Sequence, residues 1–401
     1  MTLASNQTTN FYNRRFFLRG LISIITFLVA SGCSNNKKNL KILLLEDSIP
    51  LQSIGDFRKI ARQKTKVEFQ SQPQLRSIYT HIQDLHRSKD LNNDKSLSSE
   101  PLKNRNFTNL ATLGDSWLET AIQQNSLQPL SSEELNNWSK LPQPWHKLVR
   151  RNSKGKLDAN GQIWGAPYRW GSVVIAYRKD KFKQLGWSPT DWSDLWREEL
   201  RDRISLLDSP RETIGLTLKK LGYSYNTEDL ERVANLESEL SALHQQVKLY
   251  SSDTYLQPLI LGDTWLAVGW SADVLSISKR YTDIEFVIPR SGTSLWTDLW
   301  VKPRLPESSE INKALSSTIA QWIDFCWQPK TARQISLFTN GTSPILIGTK
   351  LQDLPESLRD NLLLSSAAIN FDDSEFLLPL SDRSEQQYRN LWLKIRRLTS
   401  T

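Results

Sequence analysis

"LKILLLED", residues 40–47, is a nearly continuous apolar run closed by two acids. A strand with one wet face alternates apolar and polar residues. A run of this kind suits a strand covered on both faces, as in a sheet sandwiched between helices. Further runs follow at "KVEF", "TNLATL", "SVVIAYR", "RISLLD", "TWLAVGW" and "IEFVIP", separated by segments of helical periodicity. Short strands alternating with helices predict an α/β fold, and the chain of 401 residues is long enough for two units with real cores. From Ile311 onward the chain reads as helices, including "NKALSSTIAQWIDFCW" and "EQQYRNLWLKIRRL". Residues 87–108 are polar and lack aromatics until Phe107, which reads as a surface excursion or a disordered loop. The hexapeptides "LGDSWL" (113–118) and "LGDTWL" (261–266) look like a repeat, but their flanks differ. The first leads into a helix with capping-box spacing at Ser116 and Glu119, and the second opens a strand. The match reads as chance.

Upstream, "NRRFFLRG" precedes an apolar run at 21–30 and then "ASGC". Ten residues are too few to cross a bilayer stably, so the segment reads as an export signal. Arg14 and Arg15 before Phe16, Phe17 and Leu18 resemble a twin-arginine signal, and the four residues ending at Cys33 resemble a bacterial lipobox. The resemblance implies cleavage of residues 1–32, lipid on Cys33, a tether over 33–40 and an extracytoplasmic, membrane-anchored protein. An uncleaved anchor or cleavage without lipid is the alternative.

Removal of residues 1–32, with Arg14, Arg15 and Arg19 and no acid, lowers the net charge from +8 to +5. No Lys/Arg stripe suggests a nucleic-acid partner. Cys326 would then be the only unmodified cysteine, so stability rests on burial rather than disulfides. His81, His86, His146 and His244 have no metal-ligand spacing, and neither a nucleophile elbow nor a P-loop occurs. No cofactor, metal or catalytic residue is implied, and the expected state is a monomer. Such a chain, with 15 tryptophans, reads first as a binder.

Three places suggest binding. In "TSLWTDLWVKP" (293–303), extended chain would turn Trp296, Asp298 and Trp300 to one face. In "YRWGSVVIAYRKDKF", Tyr168 and Trp170 would share a face ahead of Gly171. "AVGWSADVL" ends a strand at Trp270 and starts a helix at Ser271, where open α/β sheets place ligands. Aromatic faces and a carboxylate together suit an organic ammonium, at ~0.5–2 kcal/mol per ring and about 1.5–3 kcal/mol for the charge-assisted bond. The same residues also suit packing at an interface, with Asp298 capping a turn.

The stretches "APYRWGSVVIAYRKD", "TDWSDLWREELRDRISLLDSPRETIGLTLKKLGYSYNT", "LAVGWSADV", "SGTSLWTDLWVKP" and "WIDFCWQPKTARQI" resemble, in order, the substrate-binding proteins of bacterial polyamine (spermidine/putrescine) ABC transporters. The similarity spans most of residues 109–340. It implies a two-lobed periplasmic-binding-protein fold, each lobe a mixed sheet flanked by helices, with two crossover strands as hinge. Lobe 1 would be 41–170 plus 297–345, and lobe 2 would be 171–296 plus 346–401. It also implies an amine-holding acid at Asp298, ring walls at Trp296 and Trp270, and a hinge beside the cleft at Tyr168 and Trp170. Glu212 matches a second acid, although "SPRE" with Ser209 and Pro210 is also a complete capping box. Asp115 and Ser116, in "GDS", stand where the family has an S-x-Y contact.

Three departures narrow the guest. "EDSIP" after the first strand carries no ring, Ser209 replaces an acid, and Arg169 offers a cation for a carboxylate. The expected function is therefore the solute receptor of an ABC importer, docking on an inner-membrane permease and taking a polyamine or other amine-bearing solute. The alternatives are a receptor of the same fold for a zwitterionic or anionic solute, a ligand-free sensor or assembly lipoprotein, and a cryptic hydrolase.

Overall fold

The computed structural model describes residues 38–63, 65–90, 107–305, 309–359, 363–364 and 371–398. Arg14, Arg15, Cys33, the signal and most of the expected tether lie outside the described residues, as does the greater part of the 87–108 excursion. None of the described helices is long and apolar enough to cross a membrane.

Along the chain run β1 (Lys38–Leu45), β2 (Thr65–Gln72), β3 (Leu110–Gly114), β4 (Leu127–Gln128), β5 (Arg150–Arg151), β6 (Gln162–Ile163) and the long β7 (Ala166–Arg178). Then come β8 (Ile204–Leu206), β9 (Val247–Tyr250), β10 (Leu266–Trp270), β11 (Ile284–Val287), β12 (Ser294–Pro303) and β13 (Glu375–Phe376). The principal sheet has the order β2-β1-β3-β12-β7-β10-β8-β9. β1 pairs in parallel with β2 and β3, and β8 pairs in parallel with β9 and β10. Antiparallel pairing joins these two parallel blocks through β12 and β7. The early half of β7 pairs with β12, and its later half pairs with β10 and β11.

The apolar run at 40–47 does what its pattern predicts. Leu40, Ile42 and Leu44 face a core shared with helices Leu51–Ala61 and Ser309–Cys326, while Leu43 joins a second core beneath helix Leu75–Asp90. A third core surrounds the later half of β7, with β8 and β10. Helix Asp382–Arg396 packs on helices Pro210–Lys220 and Leu236–Gln246 to close the far end. The two look-alike hexapeptides fall in unlike structure. One spans the end of β3 and a 3-10 turn, and the other runs from a left-handed Gly262 into β10.

Two local expectations are corrected. No side-chain cap forms at Ser116, because the chain makes a 3-10 turn at Asp115–Trp117 before helix Leu118–Gln123. At "SPRE", Ser209 Oγ does accept from Glu212 N at 3.4 Å, but the Glu212 carboxylate takes the Ser294 hydroxyl instead of turning back. Only half of the capping box exists.

Candidate functional site

β12 behaves as a regular strand around Asp298. Trp300 lies in one core, while Leu299 and Val301 lie in the other, so Trp296, Asp298 and Trp300 share a face as the sequence predicts. Their surroundings differ. Trp300 is fully buried and stacked on Tyr168 with ring centroids 4.4 Å apart. Trp296 is half-buried, its indole Nε1 donating to the Ser172 carbonyl at 3.3 Å.

Tyr168 and Trp170 do not share an environment, which corrects the expectation for that pair. The pairing of β7 with β12 slips: Asp298 faces Arg169 and Leu299 faces Pro167, leaving Tyr168 as an extra residue. The bulge sends Tyr168 into the Trp300 core, where its hydroxyl meets Thr112 Oγ1 at 3.2 Å. Trp170 is buried in the other half, edge-on to Trp145 at 5.4 Å.

The same slip places Arg169 beside Asp298, and sequence reasoning had not joined these two. Arg169 Nε and Nη2 both reach Asp298 Oδ2, at 2.8 and 2.6 Å. Nη1 donates to the Thr339 carbonyl at 3.1 Å, and the guanidinium lies 5.6 Å from the Trp296 ring centroid. Asp298 is 2% exposed. Burial opposes the charge on Arg169, yet the adjacent carboxylate outweighs it and holds the guanidinium above its ordinary value. Burial also pushes the Asp298 carboxyl up, against the pull of Arg169.

Asp115 and Glu212 sit near opposite ends of this assembly. Asp115 Oδ1 accepts from Thr297 N at 3.1 Å, and Glu212 accepts from Ser294 Oγ. Both are buried, and desolvation pushes each up to about 7. Ser116 next door is exposed.

The acid that meets solvent is Asp273, which the sequence reading passed over. It stands in the first turn of helix Ser271–Ser278, directly after β10, and is exposed. Tyr255 Oη donates to its Oδ2 at 2.8 Å and accepts from Trp270 N at 3.2 Å, fixing the strand-to-helix corner. Desolvation raises the Asp273 pKa, Tyr255 and Arg169 pull it down, and Asp298 pushes it up. Electrostatically, Asp273 is therefore a neighbour of the Arg169–Asp298 pair. Trp270 beside it is half-buried and edge-on to Tyr255. The signal that could have found Asp273 was in plain view: an acid three residues after a tryptophan at a strand end.

Ser172 ties these parts together. Its backbone N donates to Ser271 Oγ at 3.2 Å while its carbonyl holds the Trp296 indole. Gly171 makes this crossing fit, because a Cβ there would lie 2.4 Å from both Ser271 Oγ and the Trp296 ring. Chemically, an exposed carboxylate at the corner that the half-buried Trp270 ends, near in charge to the pair that Trp296 adjoins, suits a protonated amine.

A family model described as bacterial extracellular solute-binding protein matches residues 108–363. The spermidine/putrescine-binding periplasmic protein of Escherichia coli K12 is 28% identical over 252 residues, covering 63% of this chain and 67% of its own length. The putrescine/cadaverine-binding protein of Pseudomonas aeruginosa is 25% identical over 296 residues, covering 70% of this chain and 77% of its own. Among solved structures, the spermidine/putrescine ABC transporter substrate-binding protein PotD of Streptococcus pneumoniae matches with a TM-score of 0.71 at 19% identity, covering 90% of this chain and 99% of that one. The two-lobed α/β fold expected from the sequence is thereby shown. A periplasmic thiamin binding protein matches at a TM-score of 0.55 and 11% identity, covering 94% of this chain and 99% of that one. The fold by itself therefore does not choose the guest.

Proposed function

The chain belongs to the bacterial extracellular solute-binding proteins, a family of receptors rather than enzymes, and from that premise we propose that it is the receptor of an ABC importer for an amine-bearing solute. Asp273 supplies the carboxylate, and Trp270 and Trp296 supply the ring faces. The observation that carries this reading is the exposed Asp273, oriented by Tyr255, which also holds Trp270 at the end of β10. The relatives named for spermidine, putrescine and cadaverine support the same chemical class. Arg169 is committed to Asp298 and Thr339, which argues against its being a receptor for anions.

The lobes in this reading divide at the crossing, near residues 170–171 on the way out and 296–297 on the return. Ligand closes them by hinge motion, and the closed form docks on a permease. Export through the Arg14–Arg15 signal and acylation at Cys33 would keep the receptor by the membrane. Mature bacterial lipoproteins need more than one acyl chain to stay there. Cys33→Ser is expected to move the protein from the membrane to the soluble fraction.

Thermal shift against a panel of amines, amino acids, sugars and anions tests the ligand class. An amine is expected to raise the melting temperature, and Asp273→Asn to abolish the effect. If only non-amines stabilise the wild type, the amine assignment fails and the receptor assignment stands.

A further inference from the structure

We infer that Arg169 is a tethered cation filling one amine-sized position of the site, so that the guest this receptor reads carries a single protonated amine and gains nothing from a second. The inference rests on the amine reading above and narrows it. A carboxylate under an indole is a place for an ammonium, and at Asp298 and Trp296 that place is already taken by part of the chain. The guanidinium contacts Asp298 through two nitrogens, Thr339 through the third, and the Trp296 face from 5.6 Å. Space for it is built in at Gly341, where a Cβ would fall 2.4 Å from Arg169 Cγ. The turn that contains Gly341 is fixed to β7 by reciprocal backbone bonds between Trp170 and Thr342, both 2.8 Å.

The charge count follows. Asp298 is matched by Arg169. Asp115 and Glu212 are buried on Thr297 N and Ser294 Oγ, with pKa values pushed up to about 7, so neither offers a full open charge. Asp273 remains as the exposed acid of this group. One open negative charge matches one ammonium. A second ammonium on the same guest would approach the guanidinium, and the other acids of this group, Asp298, Asp115 and Glu212, are already engaged.

Butylamine and putrescine separate the cases, since they share a four-carbon chain and differ by one amine. Titration calorimetry on the wild type is expected to give affinities within about threefold of each other, because the second amine finds no partner. In Arg169→Met the vacated place accepts it, and putrescine is expected to exceed butylamine by about tenfold or more. A wild type that prefers putrescine by tenfold or more overturns the inference while leaving the amine reading intact. A wild type that binds neither amine but responds to another solute overturns both. Should Arg169→Met not fold, the wild-type comparison decides alone, and Arg169→Met with Asp298→Asn gives a charge-balanced check. That double variant is expected to lose the putrescine preference seen in the single one.

Discussion

With Asp298 2% exposed and bonded to Arg169 at 2.6 Å, removing either side chain leaves its partner charged and without a counter-ion inside the protein. Such a break costs about 3–5 kcal/mol, whereas replacing both members by neutral groups costs far less. Asp298→Asn is therefore expected to lower the unfolding free energy by about that amount in urea titration, with Arg169→Met added to it recovering most of the loss. If the double variant is no more stable than the single one, the two side chains are not a coupled pair. Glu212 makes a different residue-scale prediction. Its ordinary value is 4.5 and its folded value is about 7, so between those pH values the native chain holds a proton that the unfolded chain has released. Stability must then fall as pH rises through that window, by up to about 1.4 kcal/mol per pH unit for this group. Glu212→Gln should flatten the decline partly, not wholly, because Asp115 titrates over a similar range from 3.8 to about 7. The sequence made Asp298 conspicuous, but alternation along one strand says nothing about which residue lies opposite it on another. Arg169 is 129 positions away, and only the pairing of β7 with β12 brings it there.

At the scale of elements, apolar runs were sufficient to place β1, β8 and β10, because burial on both faces leaves a pattern that needs no partner to be recognised. The bulge at Tyr168 left no such mark. A strict period of two put Tyr168 and Trp170 together, whereas one unpaired residue sends them to separate cores. Nor could periodicity show that Gly171 exists to admit a serine and an indole from other elements. Gly171→Ala places a methyl 2.4 Å from Ser271 Oγ and from the Trp296 ring, a conflict no rotamer of the alanine can relieve. Overpacking of this kind costs about 1–3 kcal/mol. Here it should also turn the Trp296 indole off the Ser172 carbonyl and shift helix Ser271–Ser278, which carries Asp273. The expected outcome is a folded protein with reduced amine affinity and an altered tryptophan emission spectrum. Unchanged affinity in a folded Gly171→Ala protein would separate the crossing from the binding surface.

For the molecule as a whole, two strands, β7 and β12, carry the sheet from one parallel block to the other, and the groups assembled at that crossing come from both sides of it. The resemblance in sequence anticipated this plan, since two of the stretches that carry it contain β7 and β12 themselves. In the hinge motion proposed above, links outside these strands would also bias opening and closing. One such link is visible. Lys279, at the end of the helix that carries Asp273, donates to Asn340 Oδ1 at 2.7 Å, and Asn340 adjoins the turn that backs Arg169. Both residues are solvent-facing, so the bond has a net worth of about 0.5–1.5 kcal/mol, a factor of roughly 2–10 in an equilibrium constant. A ligand that binds only the closed form sees its apparent affinity scaled by the fraction closed. Lys279→Ala should therefore weaken binding by up to about that factor with no loss of any ligand contact. Small-angle scattering should show a larger radius of gyration for the ligand-free variant than for the ligand-free wild type, and equal radii once both are saturated. Equal radii in the free proteins would mean that the Lys279–Asn340 bond follows closure rather than holding it.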